Sequence, residues 1–493
     1  MNEQQTEVQS QNNQYAILFF IAFSIISWFA ITCLWESFWG LRIFLVFAAF
    51  DGMSLLHAKT NGIAPPKRSY AYMGVSLGLI LSLTFFENKL LVMPILMTAA
   101  AITLYWVPMA FSKCHRSVLE PSAISDAART VILVPLMHLK ETFSQLISAF
   151  KGHSFARRFL LGIIASIPLL VIAIGLLQEV DSQFLEVTRD IEKLLEQLFD
   201  FVPKFVLSLL LGFYLLSMVQ GTAASEAAQP IKQRSSVDTV IGSVVVILLC
   251  GVYLLFIITQ TRTVIDAFSA TKMPAYFYSS FARRGFAELC WVALLNFGVA
   301  AVIQRRGTSK PIITKLLMSF LALSTICLIA LAFSKMALYI SIYGYTLKRI
   351  YTSCFMFVLA IVFLLLIIAQ WRDLPLFKLS AILLAMSLLV LSYSNMSSFV
   401  AKSHMDDYLC AKSENIPTST MREFPWATAP VYISAFDQVE DPSAQKAILT
   451  ELAWINTLDD DESAPSIFTQ SLQAVHGFAS TEDFLVTHAA QAE

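Results

Sequence analysis

Apolar residues in this chain fall in continuous runs of roughly 17 to 25 positions, separated by short polar joints, from about residue 15 to residue 394. The runs are apolar on every face and do not alternate. Such a segment satisfies its backbone hydrogen bonds within itself, as a helix in hydrocarbon, whereas a barrel strand would alternate with a period of two. Eleven spans are predicted, at approximately 15–34, 38–57, 69–86, 90–111, 159–177, 203–220, 239–259, 285–304, 314–334, 350–370 and 377–394. The expected fold class is all-α, a polytopic transmembrane helical bundle with a small, partly helical acidic C-terminal region.

This pattern divides the chain into a polar N-terminal tail (1–14), four spans (15–111), a basic joint (112–158), seven spans (159–394) and an acidic tail (395–493). In the long joint, Val131 to Leu136 with Leu139, Phe143, Leu146, Ile147 and Phe150 predict a helix lying in the membrane interface. The tail shows helical spacing over 443–457 and 465–478, while 411–430, with Pro417, Pro425 and Pro430, reads as extended.

Charge orients the spans. Joints 58–68, 112–158, 221–238, 305–311 and 371–378 carry about 17 Lys or Arg and the alternate joints about 12. The positive-inside rule then places the amino terminus in the cytoplasm and the tail outside. Arg283, Arg284, Lys335, Lys348 and Arg349 fall on the outer side against that rule, and the acidic joint 178–200 falls outside in keeping with it.

Composition agrees with a lipid solvent, since 57% of residues are hydrophobic and 14% charged, well below the charged share of ordinary soluble domains. The net charge of −1 hides an asymmetry. Residues 395–493 hold 15 acidic residues against four Lys or Arg, so no nucleic acid is expected as a partner. The seven cysteines show no C-x-x-C and read as small buried hydrophobes. The first span lacks a basic flank and a small-x-small cleavage site, and is expected to stay in the mature chain.

Familiar catalytic signatures are missing from the sequence: H-E-x-x-H, the phosphate-binding G-x-x-x-x-G-K-[ST], G-x-G-x-x-G and G-x-S-x-G. The expectation is no catalytic residue, no metal and no cofactor. Ionisable residues at membrane depth are the remaining candidates, because they are costly in lipid unless paired or hydrated. Asp51 lies inside the second span. Glu288 follows Arg284 by four residues, close enough to pair along one helix face, and Asn296 lies two turns deeper. Tyr339, Tyr343 and Thr346 follow i, i+4, i+7 spacing, with Arg349 to one side. For Asp51 the readings are a burial partner or a helix break at Gly52 against a proton or cation site, and the competing readings elsewhere are a pair that fixes helix depth for Glu288 and Arg284 and interfacial anchoring for the tyrosines. Ser154 to Arg158 echoes Ser280 to Arg284, an arrangement consistent either with an inverted repeat or with arginine pairs marking helix entrances.

Two stretches, Tyr278-x-x-Phe281-Ala282-Arg283-Arg284-Gly285-Phe286-x-Glu288-Leu289 and Tyr339-x-x-x-Tyr343-Gly344-x-Thr346-x-x-Arg349, resemble the bacterial multi-pass membrane proteins classed as domains of unknown function 4173 and 4153. Val180-Asp181-x-x-Phe184 and Asn395 match more weakly, and the resemblance spans roughly 155–400. It implies a bacterial cytoplasmic membrane and brings no established activity.

The topology places Asp181, Arg283, Arg284, Glu288, Tyr339, Tyr343, Thr346, Arg349 and Asn395 near the outer ends of spans, with Asn296 deeper, where they form either an outward-facing polar pocket or a ring of caps and ion pairs. Two function classes follow. One is a non-enzymatic envelope sensor or scaffold, in contact with the lipid bilayer and with a protein partner at its tail. The other is a small-solute or ion permease. The sequence does not fix an oligomeric state.

Overall fold

The computed structural model describes residues 2–36, 40–86, 89–113, 122–150, 182–225, 239–269, 275–304, 312–410, 416, 418–457 and 471–488. It is 90% helical, with no strand among the described residues. In chain order the helices are α1 (Asn2–Trp35), α2 (Leu41–Thr60), α3 (Lys67–Phe85), α4 (Val92–Ala110), α5 (Ser122–Ala128), α6 (Val134–Phe150), α7 (Ser182–Ala224), α8 (Thr239–Ser269) and α9 (Ala275–Gln304). They continue with α10 (Ile312–Tyr343), α11 (Leu347–Trp371), α12 (Leu376–Tyr393), α13 (Met396–Leu409), α14 (Thr418–Glu423), α15 (Pro425–Ala435), α16 (Pro442–Thr457) and α17 (Leu472–Thr487).

Among the described residues, eight helices are long and apolar enough to cross a membrane: Tyr15–Trp35, Leu41–Thr60, Val92–Ala110, Phe201–Ala224, Val240–Arg262, Ile312–Tyr343, Leu347–Trp371 and Leu376–Tyr393. They meet eight of the eleven predicted spans, and the protein is membrane-embedded. Predicted span 69–86 is the helix α3, which falls outside those eight because Lys67, Arg68 and several hydroxyl residues dilute its apolar run. Predicted span 285–304 lies in α9, whose apolar stretch is shorter, Glu288–Ala300. Predicted span 159–177 lies outside the described residues. The acidic joint is helical from Ser182 onward and runs without interruption through Pro203 into the span of α7.

The helices sort into two units. The first holds α1, α2, α5, α6, α7 and parts of α3 and α4. Here α1 packs on α7 through Trp28 against Phe201, with ring centroids 4.9 Å apart. Gly212 of α7 lies so near Ser24 of α1 that an added Cβ would sit 2.7 Å from the serine Cα. At the end of α1, Lys204 Nζ lies 3.1 Å from Glu36 Oε1. Helices α3 and α4 are joined by Ser76, whose hydroxyl donates to the Ala99 carbonyl at 3.0 Å.

The predicted interfacial helix is α6, entered through a π-helical turn at Arg129–Leu133. Pro135 has no N–H to give the Val131 carbonyl one turn back. The Tyr214 hydroxyl donates to that carbonyl instead, and Ser217 donates to the Pro135 carbonyl at 2.9 Å. These bonds and Gly221, which admits Val134 and His138, hold α6 against α7. Leu136, Met137 and Ile147 stay exposed, as does Phe143, whose ring also meets Phe213 of α7 edge to face at 6.2 Å.

In the second unit, α8 to α11 share a core that includes Val246, Leu289, Met318, Leu321, Met356 and Phe363. Val240, Val244, Leu248 and Leu255 of α8 face outward, the arrangement expected of a lipid-facing surface. The C-terminal helices have their own core, with Trp426, Tyr432, Phe436, Ile448 and Leu452 at its centre.

One expectation in the tail is corrected over 418–430, which is not extended but is occupied by α14 and the start of α15, while 411–415 and 417 lie outside the described residues. Pro425 sits in the first turn of α15, where its missing N–H has no helical partner to lose. Pro430 does break the ladder and frees the Trp426 carbonyl. Gly477 of α17 packs directly on that carbonyl, leaving no room for a Cβ. Of the helix predicted at 465–478, residues 465–470 lie outside the described residues, and the rest belongs to α17, where the Ser471 side chain caps the helix by accepting from the Ala474 N–H at 3.2 Å.

Candidate functional site

The predicted polar residues separate into three places. Helix α10 is 32 residues long, or about 48 Å, well beyond the ~30 Å hydrocarbon thickness. A helix of that length exceeds the hydrocarbon core, and at its C-terminal end the chain makes a corner into α11.

The corner is built around Gly344, whose φ of +70° is the left-handed conformation that closes a helix and disfavours any side chain. Arg349, one turn into α11, reaches back and donates from Nη1 to the carbonyls of Tyr343 at 2.9 Å and Gly344 at 2.6 Å. These are C-terminal carbonyls without helical donors, where a cation is favoured. The guanidinium also lies over the Tyr339 ring, 3.9 Å from its centroid, and Tyr339 meets Tyr343 edge to face at 5.5 Å. Thr346 is the N-cap of α11 in extended conformation, with no capping bond from its side chain. The Tyr339, Tyr343, Gly344, Thr346, Arg349 pattern is thus one local structure.

A residue that the sequence pattern does not reveal completes it. His404 of α13 directs Nε2 to the Tyr345 carbonyl at 2.7 Å, and its ring fills the space where a Gly344 Cβ would lie 3.0 Å from Cε1. A carbonyl only accepts, so Nε2 carries the hydrogen. No local pattern announces a partner 59 residues away. Asn395, matched only weakly, caps α13 by accepting from the Ser398 N–H at 3.2 Å, and also accepts from Gln473 at 2.8 Å.

Asn296 lies apart, fully buried among α8, α9 and α10. It accepts from the Tyr253 hydroxyl at 2.8 Å and donates to Thr325 Oγ1 at 2.8 Å, and Thr325 passes its hydrogen to the Leu321 carbonyl. Every polar atom in this link has a partner, as an interhelical polar clamp in lipid requires. Glu288 is exposed on α9 and lines a cavity of about 240 Å³ with Val252, Phe256, Val292, Leu328 and Lys335. Lys335 is buried and donates to Gln260 Oε1 at 2.7 Å, and the Glu288 carboxylate acts on it electrostatically. Lys335, Tyr339 and Tyr343 are spaced i, i+4, i+8, the signal that could have added Lys335 to the stripe.

Asp51 is in the first unit, buried in the middle of α2 with neither carboxylate oxygen hydrogen-bonded. Asp181 lies outside the described residues. Arg283 and Arg284 belong to α9, and their side chains lie outside the description, so the expected Arg284 and Glu288 pair does too. Among the described residues no group of three or more His, Cys, Asp or Glu side chains is arranged to hold a metal ion.

The chain matches the family model described as Domain of unknown function (DUF4153) over residues 73–417, reaching further at both ends than the motif resemblance and past Asn395. No curated protein and no solved structure matches it. With the match covering well over half the chain, this membrane-embedded helical protein belongs to the DUF4153 family.

Proposed function

We propose that this is a non-enzymatic protein of the bacterial cytoplasmic membrane, acting as an envelope sensor or scaffold, with its amino terminus in the cytoplasm and its C-terminal helices outside. The observation that carries the reading is the His404 bond to the Gly344 corner, which fixes the first tail helix to the end of α10. A ligand or protein partner that displaces the tail would pull on that corner, and a corner held by one glycine and one arginine gives way in a defined place. Ser398 donating to the Ala427 carbonyl at 2.7 Å carries the same connection on to α15.

The permease reading draws less support. Asn296 and the tyrosine-arginine motif are committed to packing, and the cavity beside Glu288 is walled mostly by apolar side chains. Two experiments test the choice. A chain shortened after Cys410 should insert in the membrane yet fail to complement a deletion phenotype. Proteoliposomes holding the full chain should show no ion or small-solute flux above empty vesicles. Saturable flux together with complementation by the shortened chain would overturn the proposal.

A further inference from the structure

Among the described residues, six buried side-chain atoms without a hydrogen-bond partner belong to five residues on α1 and α2: Ser24, Ser27, Asp51, Ser54 and His57. Buried polar groups in native proteins are nearly always satisfied, and in hydrocarbon the exceptions point to function. Three of these residues follow one another along α2 at i, i+3 and i+6, with Ser54 one turn from each of the others.

Their donor and acceptor roles can be assigned. Asn61 Nδ2 donates to the His57 carbonyl at 2.8 Å, which fixes the amide, and the same nitrogen lies 3.2 Å from His57 Nε2. Nε2 therefore accepts, and in the neutral ring Nδ1 carries the hydrogen. Nδ1–H is then a buried donor without an acceptor, and Asp51 a buried acceptor without a donor, with the unpartnered Ser54 hydroxyl between them. The three groups stand along α2 in the order a proton relay requires, with no hydrogen bond joining them in this structure.

The relay has an aqueous end. His57 lines a cavity of about 430 Å³ whose other walls include Tyr15, Thr60, Asn61, Gln145 and Gln220. A polar space of that size holds on the order of ten waters. Asp51 lies six residues further along α2, about 9 Å deeper.

We propose that Asp51, Ser54 and His57 form a proton-exchange site inside the membrane, loaded from the polar cavity that His57 lines. His57 Nε2 takes a proton from a hydronium ion in the cavity, leaving water, as Nδ1–H passes its own toward the Ser54 oxygen. The Ser54 hydroxyl proton moves to Asp51, so three bonds to hydrogen break, at the cavity donor, Nδ1 and Ser54, and three form, at Nε2, Ser54 and the Asp51 carboxylate, and nothing is oxidised. The field at Asp51 is simple. On α1 the titratable groups are Glu3 and Glu7 in its first turns, Tyr15, and Cys33 near its other end, with Glu36 just beyond it, and α2 itself carries Arg42 near its start and Lys59 near its end. Those on the described part of α7 that crosses the membrane are Lys204, paired with Glu36, and Tyr214, bonded to Val131. Around them, α3 brings Lys67, Arg68, Tyr70 and Tyr72, and α4 brings Tyr105. Arg42 and Lys59 lie near the two ends of α2, and Lys204, midway along α7, is paired with Glu36 just past the end of α1. The proposal does not depend on the sensor reading.

Dicyclohexylcarbodiimide, an apolar reagent that adds to the protonated form of buried carboxyls, tests it on the full chain in native membranes, with the modified residue mapped by peptide mass. The expected result is labelling at Asp51 that falls about tenfold per pH unit once the group is mostly ionised. Sodium should not protect it. Asp51→Asn should lose the label, and His57→Gln should slow its pH response while keeping it. No label at Asp51, a label indifferent to pH, or protection by sodium would each overturn the proposal, the last by making the site one for a metal cation. For an Asp51→Asn chain that fails to insert, the infrared carboxyl band of the unmodified chain in lipid is followed against pH instead. A protonated-carboxyl band that fades as pH rises supports the site, and one that is absent or unchanged at every pH overturns it.

Discussion

The His404 imidazole lies 2.7 Å from the Tyr345 carbonyl and against the one face of Gly344 that a side chain would occupy. Two segments far apart in sequence therefore meet at the single left-handed residue between α10 and α11. Gly344→Ala should accordingly cost twice, once for the left-handed backbone, about 1–2 kcal/mol, and again for displacing the histidine. Thermal unfolding in detergent should record the loss, and His404→Ala in the same chain should recover the second part of it.

Arg349 is expected to resist its usual conservative replacement. Two bonds from a charged donor and a ring contact predict a loss of about 2–4 kcal/mol for Arg349→Ala. A lysine offers a point charge with no planar fork, so Arg349→Lys should restore less than half of that, measured by denaturant unfolding.

The contact between α15 and α17 rests on a glycine. A Cβ at Gly477 would collide with the Trp426 backbone carbonyl, so Gly477→Ala should destabilise the tail helices toward the upper end of ~1–3 kcal/mol. Hydrogen exchange should show the loss in 425–435 and 472–487, with α8 to α11 unchanged.

Tyr432 gives the tail an alkaline limit. Burial, with Glu451 nearby, pushes its phenol well above the ordinary tyrosine value. Between that ordinary value, near pH 10, and the raised one, the unfolded chain has released a proton that the folded chain keeps. Stability from this group is thus complete below about pH 10 and falls as pH rises beyond it. Tail unfolding followed against pH should show that limb, and Tyr432→Phe should flatten it.

Much of this arrangement was legible in the sequence, for physical reasons. Lipid demands unbroken apolar runs, so the spans announce themselves, and α6 was legible as a helix from the helical spacing of its apolar residues. The Tyr339 to Arg349 motif was visible as a unit since its parts are local. Its role was not, because His404 reaches it through the fold. Prolines misled in the tail: Pro425 and Pro430 suggested extended chain, while one starts α15 and the other frees a carbonyl that α17 packs against. Asn296 looked like pocket lining, and only its partners Tyr253 and Thr325, 43 and 29 residues away, identify it as a clamp.

Hydrogen exchange on the full chain in lipid nanodiscs, comparing the native protein with His404→Ala, tests most directly whether the Gly344 corner joins the tail to the membrane helices. Coupling through His404 predicts that protection falls together in 339–345 and 396–409. A change confined to 396–409, with 339–345 as protected as before, would contradict it.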